Sequence, residues 1–186
     1  LQLFDHAQPY VGQLMVQLVD ARSGTPLLLP DGSDRLLLPP QIQIDTDTPT
    51  ISQVFNTQFG TSLSLWCASI TEDNDTFDIR LFWHVNTTME RDLTTFVHGL
   101  DADNQIVAQG DAPPIPAYPT SLWREGQTLV AKHTLPADEA IVTVGIGLYD
   151  AEGVRISVED EDAIPLPDSR LTLPLETRDC VVSSGD

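Results

Sequence analysis

Residues 77–112 read FDIRLFWHVNTTMERDLTTFVHGLDADNQIVAQGDA, and this stretch decides the fold. Between Phe77 and Asn86 the residues alternate. Ile79, Leu81, Trp83 and Val85 share one side of an extended chain, while Asp78, Arg80, Phe82 and His84 share the other. Successive side chains of a strand point to opposite faces, so the pattern predicts a strand with one buried face. Phe82 breaks the polar row and predicts a cover over that position. Downstream, TTFVHGL (94–100) and QIVAQ (105–109) flank Asp101-Ala-Asp-Asn104, whose Asp and Asn residues suit a hairpin tip.

The same grammar runs through the chain. VGQLMVQLV (11–19), SLSLWCASI (62–70), QTLVAKHTL (127–135) and AIVTVGIGLY (140–149) read as strands, the last weakened or bent by Gly145 and Gly147. The apolar runs Pro26–Leu29 and Arg35–Leu38 are stopped by prolines, and QIQI (41–44) follows as a separate strand-like piece. Fourteen prolines and eleven glycines imply short elements with frequent turns. Helical signal is almost absent; Met89–Leu93 has room for one turn. The fold class is therefore all-β, an antiparallel β-sandwich of immunoglobulin-like or jelly-roll type.

Two blocks recur in the same order. QLVDARSG (17–24) matches GLYDAEG (147–153), and SDRLLLPP (33–40) matches DSRLTLPL (168–175). The expected organisation is 1–45 as the closing strands of a preceding degenerate repeat, 46–178 as a β-sandwich domain and 179–186 as a tail. Residues 1–45 then need burial on the main domain or on another chain, which makes a homo-oligomer through the N-terminal segment one expectation. The polar DTDTPT stretch (45–50) reads as a linker.

Charge and composition exclude several classes of function. A net charge of -19 opposes nucleic acid and anionic membrane, both of which need a basic surface. No apolar run approaches the roughly 20 residues of a membrane-spanning helix. The first ten residues carry Gln2, Asp5, His6 and Gln8 and so do not form a signal peptide. The chain reads as a piece of a longer protein, with membrane attachment only through the remainder of that parent. Cys67 and Cys180 allow either one disulfide in an oxidising compartment or two unrelated thiols.

Candidate sites are few. Tyr118 and Trp123, on the proline-rich segment 111–126, are the candidate aromatic platform for a glycan. Asp111 and Arg124 beside them would add hydrogen bonds. Asp101 and Asp103 are the candidate metal ligands, for calcium; an EF-hand is excluded because Ile106 and Ala112 occupy the positions of its Gly and Glu. No other cofactor is expected. His84 and His98 fall on neighbouring strands of the sequence and can meet if those strands pair. Motifs of nucleophilic catalysis and phosphate binding are missing, so no catalytic residue is named.

The segments FVHGLDADNQIVAQGD, the YPTSLW…G loop and the GLYDAEG hairpin resemble a β-sandwich domain of uncharacterised Chloroflexi-type proteins. Such domains are often appended to multi-span, glycosyltransferase-like membrane proteins. The resemblance spans about 77–158 and implies a sandwich in an extracytoplasmic, cell-surface setting, with no catalytic residues to carry over. The leading expectation is a non-catalytic module of a larger envelope protein. A carbohydrate-binding module is the alternative, and a glycoside-active enzyme domain the third.

Overall fold

The computed structural model describes residues 56–177 without a break. It also describes the strands Tyr10–Val16, Leu36–Ile44, Thr50–Ile51 and Val182–Ser183 and scattered turn residues between 20 and 32. Contacts divide the chain into two compact units, Leu1–Thr46 and Asp47–Asp186. The division falls inside the stretch read as a linker.

In the first unit, β1 (Tyr10–Val16) and β2 (Leu36–Ile44) pair antiparallel. The register places Leu14 opposite Leu38, Met15 opposite Leu37 and Val16 opposite Leu36. Here the structure corrects the sequence reading. The runs on either side of Pro39-Pro40 form one strand, and the ladder is irregular between Gly12 and Leu14, facing the prolines. Proline has no N–H to give a ladder, so the pairing slips there while the strand continues. Leu27 and Leu28 are exposed and outside any strand.

The second unit is an antiparallel β-sandwich. After β3 (Thr50–Ile51), one sheet has the order β11-β4-β5-β6-β9, built from β4 (Thr57–Phe59), β5 (Leu63–Asp73), β6 (Thr76–Val85), β9 (Thr128–Pro136) and β11 (Val158–Glu159). The other has the order β12-β10-β7-β8, built from β7 (Thr94–Leu100), β8 (Ile106–Gln109), β10 (Thr143–Tyr149) and β12 (Leu171–Pro174). β13 (Val182–Ser183) pairs with β3. Hairpins β5–β6 and β7–β8 each stay within one sheet, then β9 returns beside β6 and β10 beside β7. This Greek-key path is the immunoglobulin-like option of the two expected. Single 3-10 turns stand at Thr120–Leu122 and Pro167–Ser169, and Met89–Leu93 is not helical.

The expected core row is buried: Ile79, Leu81, Trp83 and Val85 are at most 1% exposed. Their ladder partners on β9, His133, Ala131 and Leu129, continue the row. Trp83 meets Phe59 edge-on at 4.8 Å. Burial of each large apolar side chain is worth about 1.5–3 kcal/mol, so this row anchors the sandwich. The second sheet turns Val97, Val144, Ile146 and Leu148 inward, all fully buried. Gly99 on β7 leaves room for the Ile141 side chain, whose Cδ1 a Cβ there would meet at 2.6 Å, and for Leu135 on β9 of the facing sheet, 3.1 Å away. On the outer side, Phe82 is only 5% exposed and packs with Cys67 and Val130. Cys67 is disulfide-bonded, and Cys180, the other cysteine of the sequence, lies outside the described residues.

Turns share one device. Asp101 Oδ1 accepts the backbone N–H groups of Asp103 and Gln105, and Asp160 Oδ1 accepts those of Asp162 and Ile164. Asp150 Oδ1 accepts from Val154, and Asp20 Oδ1 from Arg22 and Ser23. Three residues after Asp101, Asp150 and Asp160 the chain turns left-handed, at Asn104 (φ 62°), Gly153 (φ 79°) and Ala163 (φ 60°). A short carboxylate bonded to its own backbone holds the turn through local contacts alone. The N–H groups of Ser23 and Arg22 hold the Asp20 carboxyl below its usual range.

β10 and β12 pair with Val144 opposite Leu173, Gly145 opposite Thr172 and Ile146 opposite Leu171. Carrying the spacing of the first repeated block back three residues beyond its start, and using the second block as it stands, matches these pairs to Leu14–Leu38, Met15–Leu37 and Val16–Leu36 of the first unit.

Candidate functional site

The outer face of the four-stranded sheet carries a cleft of about 250 Å³ lined by Phe96, His98, Asp111, Tyr149, Gly153 and Arg155. Its floor follows from the ladder. On β7, Phe96 and His98 point outward, and opposite them β10 places Gly147 and Gly145. Both glycines make room for side chains that lie across the strand. A Cβ at 147 would overlap the Phe96 ring, and one at 145 would come 2.5 Å from Arg170 Cδ. Two large side chains therefore lie on the sheet where an ordinary strand would raise its own.

Rings and charges stack on this floor. The Arg155 guanidinium sits 4.7 Å above the Phe96 centroid, and one of its nitrogens donates to the Asp168 carbonyl at 2.8 Å. His98 stacks on Phe96 at 4.7 Å, and Tyr149 lies nearly parallel to Phe96 at 6.5 Å. Backbone bonds between Thr95 and Ala112 fasten the segment after β8 to β7, which brings Asp111 to the rim. There Asp111 Oδ2 accepts from the Tyr149 hydroxyl at 3.3 Å, and Oδ1 lies 3.5 Å from His98 Nε2.

Burial pushes the His98 pKa down, with Asp111 opposing the shift and Arg155 and Arg170 adding to it. Burial raises the Tyr149 pKa, and Asp111 reinforces it through its charge and hydrogen bond. Near neutrality His98 is thus a neutral imidazole and Tyr149 a protonated phenol. The cleft offers rings, hydroxyl, carboxylate and guanidinium, and its lining includes no Ser, Thr, Cys or Lys. That equipment binds polar groups; it does not include a nucleophile of the usual acyl-transfer kind.

Of the residues singled out in the sequence, Asp111 and His98 line this cleft. Tyr118 and Trp123 are 0% and 1% exposed, which corrects the expectation of an aromatic platform. Trp123 Nε1 donates to the Tyr118 carbonyl at 2.9 Å, and the Tyr118 hydroxyl lies 3.0 Å from the Leu122 carbonyl oxygen and 3.2 Å from Gln127 Oε1. Thr120 ties the loop to 91–93 by accepting from the Leu93 N–H and donating to the Arg91 carbonyl. The two rings close one end of the sandwich, and a buried ring cannot stack on a sugar. Arg124 is exposed on the same loop, its backbone N–H bonded to Gln127 Oε1.

Asp101 and Asp103 form a hairpin tip in which Asp101 spends one oxygen on its own turn. Among the described residues no group of three or more His, Cys, Asp or Glu side chains could hold a metal, so the calcium expectation finds no assembled ligand set. His84 and His98 do not meet, because their strands belong to different sheets. His84 stacks on Trp66 at 3.9 Å, with Nδ1 3.2 Å from Thr128 Oγ1, and burial lowers its pKa.

Sequence reasoning missed Phe96, Tyr149 and Arg155 as neighbours. The available signal was Gly145-x-Gly147 on a strand outer row, which marks a close approach as well as a bend. The sequence matches no protein-family model, and comparisons with curated proteins and with solved structures give no significant match.

Proposed function

We propose that this chain is a non-catalytic, extracytoplasmic β-sandwich module, one of a run of related modules in a larger envelope protein. The observation that carries the reading is the shared register of β1–β2 and β10–β12. Aligning Asp20 with Asp150 and Arg35 with Arg170 superimposes three ladder pairs of one hairpin on three of the other. A slip of one residue would turn every side chain to the opposite face, so equal register at matched positions supports descent from one module. On this reading β1 and β2 are the last two strands of a preceding sandwich.

The disulfide at Cys67, buried beside Phe82, supports the location, since disulfides persist in oxidising compartments. Any chemistry of the parent protein then belongs to its other parts. Limited proteolysis of the full-length protein, with mass spectrometry under non-reducing alkylation, tests both halves of the proposal. Cleavage concentrated at 45–50 and a Cys67 that resists alkylation are expected. A Cys67 that alkylates in protein recovered from cells overturns the location, and resistance to cleavage across 45–50 overturns the modular reading.

A further inference from the structure

We infer that the cleft above Phe96 is a saccharide-binding site, taking one neutral sugar ring between Asp111 and Arg155 with Tyr149 as its aromatic wall. The inference stands apart from the modular reading, and neither depends on the other.

Size sets the first limit. At about 250 Å³ the cleft is smaller than the 300–1,000 Å³ typical of sites for drug-sized ligands, so it suits a single ring and not an extended cofactor. Charge sets the second. The chain carries -19, yet this cleft pairs one carboxylate with one guanidinium, and its imidazole is neutral. Their charges cancel locally, which favours neither anion nor cation. A hydroxyl group both donates and accepts, and vicinal hydroxyls can bridge an acceptor such as Asp111 and a donor fork such as Arg155.

Preorganisation is the third argument. Arg155 is stacked on Phe96 and tied to the Asp168 carbonyl, while Asp111 is positioned by Tyr149 and by the Thr95–Ala112 bridge. Holding polar groups in place before the ligand arrives lowers the entropic cost of binding. Each Asp111 oxygen already faces one protein group, leaving capacity to share hydrogen bonds with hydroxyls but little to enclose an ammonium ion. Phe96 is covered by Arg155 above and the β10 backbone below, so Tyr149 is the ring left to meet the apolar face of a sugar.

The test is an NMR titration of the intact protein with glucose, galactose, mannose, N-acetylglucosamine and their methyl glycosides, with glycine and succinate as charged controls. At least one sugar is expected to shift the amides of Phe96, Asp111, Tyr149 and Arg155, with a Kd on the order of 1 mM. Arg155→Ala and Arg155→Lys should each weaken that binding about tenfold or more, the second because ammonium lacks the planar fork. Lys132→Ala, exposed on β9 of the other sheet, should leave it unchanged. No response to any sugar up to tens of millimolar, shifts confined to another face, binding of glycine or succinate in preference to sugars, or full affinity in both Arg155 variants would each overturn the inference.

Discussion

Phe96 lies across Gly147, its partner in the β7–β10 ladder, so closely that residue 147 has no room for a side chain. The Gly147→Ala variant must tilt the ring, disturbing Arg155 above it as well. The expected loss of stability is about 1–3 kcal/mol, the usual cost of overpacking. Gly145→Ala meets the flexible stem of Arg170 and should cost less. Urea denaturation of the two variants side by side checks the order; equal effects would mean that the ring is not the rigid obstacle.

His133 stands in the core row, 5% exposed, with neither ring nitrogen hydrogen-bonded in the described structure. Burial lowers its pKa to about 4, with Asp111 opposing. In the unfolded chain an imidazole takes up its proton near pH 6.5, so the unfolded state binds more protons between these values. Stability from the neutral imidazole is full above pH 6.5 and falls as pH drops towards 4, by about 3 kcal/mol in all. His133→Leu removes this dependence and the two unpaired nitrogens, so it should melt higher at pH 5 than the parent. Melting curves at pH 5 and 7 decide it. An unchanged difference between the two pH values would assign the acid sensitivity to other groups.

Cys67 combines complete burial with a covalent crosslink. Cys67→Ala is expected to lose about 2–4 kcal/mol, the range typical of a structural disulfide. A reductant should then destabilise the parent and leave the variant unaffected. If the parent melts identically with and without reductant, the crosslink contributes nothing to stability.

Ala163 holds the left-handed position that Asn104 and Gly153 fill in the matching turns. An alanine there carries steric strain that glycine escapes. Ala163→Gly should therefore stabilise the protein by about 1 kcal/mol, against the general rule that glycine loosens a chain. Chemical denaturation measures it directly, and a loss of stability would show that unfolded-state entropy outweighs the relieved strain.

Much of the fold was legible because its determinants are local. The period-two row from Ile79 to Val85 fixes which face of β6 is buried, and the Asp-headed tip at 101–104 fixes the β7–β8 hairpin. Where determinants are non-local, the reading failed. Tyr118 and Trp123 look like a binding pair in a polar, proline-rich loop, and only the packing of 118–123 against 91–93 shows that they are core. His84 and His98 are close in sequence order, yet the connection between β6 and β7 changes sheets and parts them. The cleft gathers Phe96, Asp111, Tyr149 and Arg155 from separate elements, so no single window of sequence contains it.

The aspartate-headed turns have a consequence for how such a surface diversifies. Each tip is fastened by its own first residue, so the pair that follows it, Ala102-Asp103, Ala151-Glu152 or Glu161-Asp162, faces water. Those pairs are replaceable lettering on a fixed frame. A lineage can rewrite them freely while the aspartate and the left-handed residue hold the strands in place, and a protein engineer can graft short recognition sequences at the same points.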